Sequence, residues 1–542
     1  MRELTGTGRL IRLALRRDRI LLPAWIVAIT GLAASVITTY ETTVGDAEAR
    51  LATATFAAAN PITRVFDGPA TGTDLPAMAV VEAYQVLAIL TALMCAQAIV
   101  RHTRQDEETG RAELLGSAVV GRHARLTAAL VVTVGAAVVL GAAVAGVFAA
   151  AGFGGSGAWA AGMAVAGVGW AFAGIGAVSA QVFSTARGAN AAAGAALGAA
   201  FLLRAVGDLL GDVADSGVKV ISAWPSWLSP IGWGQQVRAF DENTWWIAGL
   251  FAGLLAVSVA VAFTLENHRD VGPGMVGTRP GPARAPRTLR SALGLAWRLQ
   301  RTIWASWAFG IIAMTAALSS VGESAEDLLA ENEQMAELLT RLSPDAGISA
   351  LFFTFMMAFV GIAAGGYVVQ ALLRMRAEEV SGRLEPILAT ATARRRWLGG
   401  HVLIAGAGIT AILTLAGVIG GAVYGAMTGR WAEGLADVTA AATVQIPAVL
   451  ALGGFVVALF GLVPRWAGAL SWGALAVALV MGQLGALLDL PQWVLNVSPF
   501  THVPLVPAEA FEALPVLILL AVAGGLTATG FVAFRRRDLT TT

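Results

Sequence analysis

Two strings of charge stand out in a chain of 542 residues of which only 13% are charged. Residues 104–126 read RQDEETGRAELLGSAVVGRHARL, and residues 376–398 read RAEEVSGRLEPILATATARRRWL. Set side by side without a gap, they match at Arg104/Arg376, Glu107/Glu379, Gly110/Gly382, Arg111/Arg383, Glu113/Glu385, Arg122/Arg394 and Leu126/Leu398. Most of these matches are charged, which chance similarity between apolar helices would not produce. The chemistry they offer is docking rather than bond-making. A short helix that presents Glu113 beside Leu115, or Glu385 beside Ile387, joins a charged grip to an apolar contact. A glycine before it permits a sharp turn, and Pro386 is tolerable in a first helical turn.

Two further groups of residues are candidates. Glu82, Arg204 and Asp208 fall in apolar stretches, where an ionisable group is costly and calls for a partner. Arg204 and Asp208, at i and i+4, share a helix face and with Glu82 are expected to form one buried cluster, read first as a structural ion network and second as part of a substrate path. Its counterpart is missing from the second string's neighbourhood, where Thr354 stands opposite Glu82. The other group is aromatic. Trp224, Trp227, Trp233, Trp245, Trp246 and Trp493 lie at span ends, where an indole anchors at the headgroup level, and the alternative is an exit gate over an apolar substrate. Trp224, Ser229 and Pro230 match Trp493, Ser498 and Pro499 as another repeated block.

Several chemistries find no support. No nucleophile, base and orienting group can be assembled, and His123, His401 and His502 lack metal-ligand spacing. The one cysteine, Cys95, sits in an apolar stretch and has no internal partner for a disulfide. A P-loop needs Gly-Lys followed by Ser or Thr, but the one lysine, Lys219, follows Val218. If ATP drives this protein, another chain must hydrolyse it.

The elements that carry these residues are membrane helices. Hydrophobic residues make up 57% of the chain, far more than a soluble core of this size needs. Runs of roughly 20 apolar residues are long enough to cross the ~30 Å hydrocarbon layer. They fall near 21–41, 77–100, 126–150, 158–181, 190–211 and 245–264, then near 302–320, 348–372, 399–424, 437–460, 466–488 and 514–534. The expected fold is thus all-α, with twelve transmembrane helices. Arginines set its orientation. Arg2, Arg9, Arg12, Arg16, Arg17 and Arg19 precede the first span, and seven arginines run from Arg269 to Arg301 against one acid, Asp270. The chain ends in Arg535, Arg536 and Arg537, so all three regions are expected in the cytoplasm. The acidic stretch 321–347, with Glu323, Glu326, Asp327, Glu331, Glu333, Glu337 and Asp345 against Arg341, is expected outside.

The first twenty residues read as an amphipathic helix at the interface rather than a cleaved signal peptide, because their arginines run up to a full-length span. LALRRDRILLPAW from Leu13 is similar to LAWRLQRTIWASW from Leu295, sharing Arg16/Arg298, Arg19/Arg301 and Trp25/Trp307. The Gly, Pro and Arg-rich stretch from Val271 to Pro286 reads as a linker. The expected organisation is a first transmembrane half over 1–266, a cytoplasmic linker over 267–290 and a second half over 291–542, each half an interfacial helix plus six spans. With six spans apiece, the halves form a parallel repeat about an axis along the membrane normal.

On these repeated blocks the chain resembles the permease subunits of type-2 ABC exporters, most of all the polyketide-antibiotic and multidrug exporter permeases that fuse two halves in one chain. In that family an acidic segment after the second span leads to a Gly, a Glu-Leu-Leu-like helix and a basic stretch. Glu107, Gly110, Arg111, Glu113, Leu114 and Leu115 fit this pattern, as do Glu379, Gly382, Arg383, Glu385, Ile387 and Leu388, with Pro386 in place of one Leu. The resemblance implies a coupling helix in each half that docks on an ABC ATPase, two ATPase copies per permease, and re-entrant external helices before the sixth spans. It also implies a multi-pass location in the inner, plasma membrane with both termini cytoplasmic. The function it implies is export of hydrophobic compounds such as antibiotics or lipids, with ATP and Mg²⁺ used by the partner and no cofactor bound by this chain. The competing expectation is a proton-coupled efflux transporter of the major facilitator type, because DEETGRAELL is similar to that family's loop between spans two and three. The long first external loops, the arginine-rich segment before span one and the Ser-Pro external segments favour the ABC resemblance. A membrane scaffold is a third class, and it would stimulate no ATPase.

Overall fold

The computed structural model describes residues 2–270, 274–276, 283–320, 348–484 and 491–539. The acidic stretch 321–347 lies outside the described residues, as does much of the linker expected over 271–286. Two compact units divide the chain, Met1–Pro280 and Gly281–Thr542.

The first unit opens with α1 (Thr7–Arg17), α2 (Leu21–Thr43), α3 (Ala47–Ala59) and α4 (Pro61–Phe66). Then come α5 (Leu75–Val100), α6 (Arg111–Gly116), α7 (Ala124–Ala150), α8 (Ser156–Val182), α9 (Ala186–Leu209), α10 (Pro230–Gln236) and α11 (Ile247–Asn267). The second unit has α12 (Ala292–Ser320), α13 (Ile348–Val380), α14 (Leu384–Leu388), α15 (Arg394–Thr428), α16 (Trp431–Thr443), α17 (Ile446–Leu462), α18 (Ala467–Leu484) and α19 (Ala513–Arg536). Among the described residues, eleven helices are long and apolar enough to cross a membrane, α16 and α17 together making one of them. An apolar helix over α18 is shorter than these.

Each unit has its own core. In the first, Leu87, Cys95, Leu140, Phe148, Phe172 and Phe251 are buried together; in the second, Phe353, Tyr367, Trp397, Tyr424, Phe460 and Phe534 are. Lipid gives helices no hydrophobic reason to associate, so close approach of small residues does this work. Gly141 of α7 and Gly162 of α8 lie so near that a Cβ on either would clash with the other's carbonyl oxygen.

The interfacial segments differ between units. α1 is a separate helix that buries Leu10 and Ala14 and exposes Arg9, Arg12 and Arg16. The segment expected as a second interfacial helix is instead the first part of α12, which runs unbroken for 29 residues. The aligned residues supply a reason. Pro23 lies in the first turn of α2, where its ring would clash with the carbonyl of Arg19 if the helix continued backward, and the position aligned with it in α12 is Ala305.

Candidate functional site

The two charged strings fold alike. α5 continues through a π turn, Arg101–Gln105, to Glu108, and the backbone then reverses at Gly110. Gly110 has φ +72° and Gly382 φ +69°, the left-handed region that a side chain disfavours. Each glycine leads into a short helix, α6 or α14. In both copies the arginine after the glycine and the glutamate two residues on are exposed (Arg111 and Glu113; Arg383 and Glu385), while Ala112 and Leu384 are buried. Leu115 is half-buried against Leu10, Ala124 and Ala128, and Ile387 is half-buried on the second core. The outward apolar residue of α6 is Leu114, 76% exposed, and Pro386 is exposed in its aligned place. Each short helix therefore presents a charged edge from an apolar footing.

Glu107 and Glu379 have a different setting from Glu113 and Glu385. Their side chains are 2% and 0% exposed. Glu107 pairs with Arg104 at 2.8 Å and Arg125 at 3.3 Å, and accepts two bonds of 2.9 Å from Arg269, which follows α11. Glu379 pairs with Arg376 at 3.2 Å and accepts bonds of 2.5 and 2.9 Å from Arg537, which follows α19. These arginines also reach the fourth membrane helix of their unit: Arg269 donates to Gln181 at 2.6 Å, and Arg537 to the carbonyl of Phe460 at 3.2 Å. The second repeated arginine completes the pattern. Arg122 donates to the carbonyls of Glu266 and Asn267 at 2.7 and 3.1 Å, and Arg394 to those of Phe534 and Arg537 at 3.1 and 2.5 Å. Cations belong at helix C-termini, whose last carbonyls lack intrahelical donors.

Arg269 and Arg537 are absent from the aligned strings. Their signal was only a basic residue just past the last span of each half, which orientation alone explains. The first unit adds an elbow latch that reading the sequence also missed. Arg17 donates to Asp106 at 2.6 and 3.0 Å, while Asp18 accepts from Arg101 at 2.8 Å and meets His102 at 2.6 Å. Burial pushes the Asp18 carboxyl up, but the hydrogen bond and charge of His102, with Arg101 beside it, outweigh burial and hold it below its ordinary value. A half-polar cavity of about 330 Å³ opens beside Glu107, between Ala112, Gly116, Arg122 and Asp270.

Among the residues expected inside the membrane, Arg204 and Asp208 do meet. Their side chains are fully buried, 3.3 Å apart. Arg204 also donates to the carbonyls of Arg64 and Val65 at 3.3 and 2.6 Å, and Ser226 donates to Asp208 at 3.3 Å. Glu82 accepts from the Tyr40 hydroxyl at 3.0 Å instead. Asp67, between the first two spans, was not singled out by its sequence. Burial and then the Glu82 charge push its carboxyl up to about 7, with Arg204 opposing.

The Ser-Pro pairs start helices. Ser229 accepts from the amides of Ile231 and Gly232, donates to the carbonyl of Ala200 at 2.7 Å, and places Pro230 in the first turn of α10. Ser498 accepts from the Phe500 amide and places Pro499 at the start of a 3₁₀ turn, Pro499–His502. Trp224 and Trp493 are exposed, whereas Trp227 stacks on Trp246 at 5.7 Å. His123 meets Glu266 at 2.7 Å, His401 meets Gln300 and His502 meets the Asn496 carbonyl, and among the described residues no group could hold a metal ion. Within the second unit an open apolar cleft of about 830 Å³ lies between α17, α18 and α19, bordered by Asn496, Ser498 and Glu512.

Eleven apolar helices long enough to cross a bilayer define a multi-pass integral membrane protein. Residues 289–535 match the family described as multidrug efflux system permease Rv1217c, C-terminal domain. The chain is 38% identical over 536 residues to the multidrug efflux system permease protein Rv1217c of Mycobacterium tuberculosis (strain ATCC 25618 / H37Rv), covering 99% of this chain and 95% of that one. The chain belongs to this family of multidrug efflux system permeases, and is a membrane permease rather than an enzyme.

Proposed function

We propose that this chain is the permease subunit of an ATP-driven ABC exporter of type 2, moving hydrophobic compounds such as antibiotics or lipids outward across the plasma membrane. The observation that carries this reading is the duplicated loop: two short helices of the same build, each opened by a left-handed glycine and each offering an exposed Arg-x-Glu from an apolar footing. One such loop would be an ordinary charged connection. Two copies in one chain suit two ATPase subunits, which bind the ATP and Mg²⁺ that this sequence has no P-loop to hold. With α18 as a twelfth span the chain is two six-helix halves, both termini cytoplasmic. The named function of the M. tuberculosis relative supports efflux of drugs. The apolar cleft of the second unit has the volume of a drug-sized site.

Native mass measurement of the purified complex is expected to show one permease with two ATPases, and a two-to-two assembly would overturn the fused-halves argument. Glu113→Ala with Glu385→Ala is expected to abolish transport at normal expression and insertion, each single change being milder. Full substrate-stimulated ATPase activity in the double variant would remove these residues from coupling. A cysteine at Ser324, in a chain whose Cys95 is replaced, should react with an impermeant thiol reagent on intact cells. Reaction only after lysis would invert the topology.

A further inference from the structure

The cytoplasmic loop of each unit lies between its second and third membrane helices in sequence, so the chain itself would pass a push at Glu113 or Glu385 to those two helices first. The side chains describe another route. Buried Glu107 and Glu379 are gripped at 2.9 and 2.5 Å by arginines that follow the last membrane helix of the same unit. Arg122 and Arg394 reach from the far side of each loop onto the carbonyls that end that same helix. The last helix is thus held on both flanks of the short helix.

We propose that Arg269 and Arg537 are positioning residues that fasten each loop to α11 and α19, so that motion delivered to the loop moves the last membrane helix of its own unit. This rests on the ABC-exporter reading and names the path by which its coupling site would act. Four observations carry it. The arrangement occurs twice, in units whose loops otherwise differ, with Ala112 and Leu114 aligned to Leu384 and Pro386. Its carboxylates are buried, and a buried ion pair is a poor way to gain stability alone, since apolar replacements of similar volume are often as good or better. The geometry is also directional, because a guanidinium that binds a carboxylate through two nitrogens fixes orientation as well as distance. Arg269 and Arg537 further reach the fourth membrane helix through Gln181 and the Phe460 carbonyl, so each latch joins three helices at one carboxylate.

The test uses the assembled permease and ATPase complex in proteoliposomes, measuring substrate moved per ATP hydrolysed. Arg269→Gln with Arg537→Gln is expected to keep ATPase binding and basal hydrolysis within about twofold and to lower substrate moved per ATP at least tenfold, each single change falling between. An unchanged ratio, or hydrolysis and transport falling together with the amount of folded protein, would overturn the proposal. If the glutamine pair does not fold, Arg269→Lys with Arg537→Lys retains the charge without the two-nitrogen grip. At least a threefold loss in the ratio is then expected, and full coupling would overturn the idea. Failure of the wild-type chain to bind or stimulate any ATPase would instead defeat the exporter reading.

Discussion

The loop latches of the two units solve one problem with different materials. Around Glu107 the first unit gathers Arg104, Arg125 and Arg269. Around Glu379 the second unit places Arg376 and Arg537, and Trp397 occupies the position aligned with Arg125. There Arg537 also lies over the rings of Phe460 and Phe534, at 5.0 and 5.1 Å. The first latch is held mainly by charge, the second by charge and aromatic faces. A carboxylate ringed by guanidiniums matters more to its surroundings than one whose cation has a second home.

Removing the carboxylates breaks this comparison with the largest effect. Loss of one partner from a buried pair costs about 3–5 kcal/mol. Glu107→Ala should sit at the upper end, since it removes the carboxylate that three guanidiniums share. Glu379→Ala should be milder by about 0.5–2 kcal/mol, because the cation–π contacts persist. Thermal unfolding in detergent ranks the two, and equal losses or the reverse order would show that the aromatic faces contribute nothing. Phe460→Leu with Phe534→Leu should then widen the deficit of Glu379→Ala.

The repeated charges at the latches were legible because charge is scarce in this chain, and any pattern in it rises above the apolar background. Eleven of the twelve expected spans were legible because the bilayer sets their length, whereas the stretch expected near 466–488 holds a shorter apolar helix among the described residues. Arg269 and Arg537 were not, since each lies past the last span, far from the strings it completes, and basic residues there are expected on any cytoplasmic side. The roles of Glu107 and Glu113 could not be separated from spacing alone. Both are glutamates near one glycine, yet a turn of the backbone buries the first and exposes the second. The elbow shows the reverse case, in which a local signal was present and outweighed by likeness. LALRRDRILLPAW and LAWRLQRTIWASW share arginines and tryptophan, but Pro23 against Ala305 decides whether the helix breaks.

A second contrast lies at that elbow. Asp18 pairs with Arg101 and bonds His102 in the first unit, while Gln300, aligned with it, meets His401 at 3.0 Å. Asp18→Asn should destabilise the first unit by on the order of 1–3 kcal/mol at neutral pH, as expected when a buried charged hydrogen bond is lost. The sign with pH follows from a carboxyl held below its ordinary value of 3.8. Its contribution is complete above that value and disappears as pH falls through the lower, folded one. Melting curves of wild type and Asp18→Asn should therefore differ at pH 7 and converge on strong acidification, and a constant gap would exclude the ion pairs as its source.

The effect expected at the other end of the first unit has the opposite sign. The Asp67 carboxyl, pushed up to about 7 by burial and by Glu82, binds a proton in the folded protein that the unfolded chain releases near 3.8. Folded stability from this group therefore falls as pH rises between those two values and is level above about 7. Asp67→Asn keeps the neutral shape and removes the penalty, so it should match wild type near pH 4 and melt higher at pH 8. The second unit offers the control. Thr354 stands where Glu82 would be and accepts a hydrogen bond from the Ala508 amide at 3.3 Å, so that position carries a hydroxyl in place of a carboxylate. Parallel melting curves for wild type and Asp67→Asn from pH 4 to pH 8 would show that Asp67 is ionised throughout, and the charge difference between the two units would then be a difference of sequence without a consequence for proton binding.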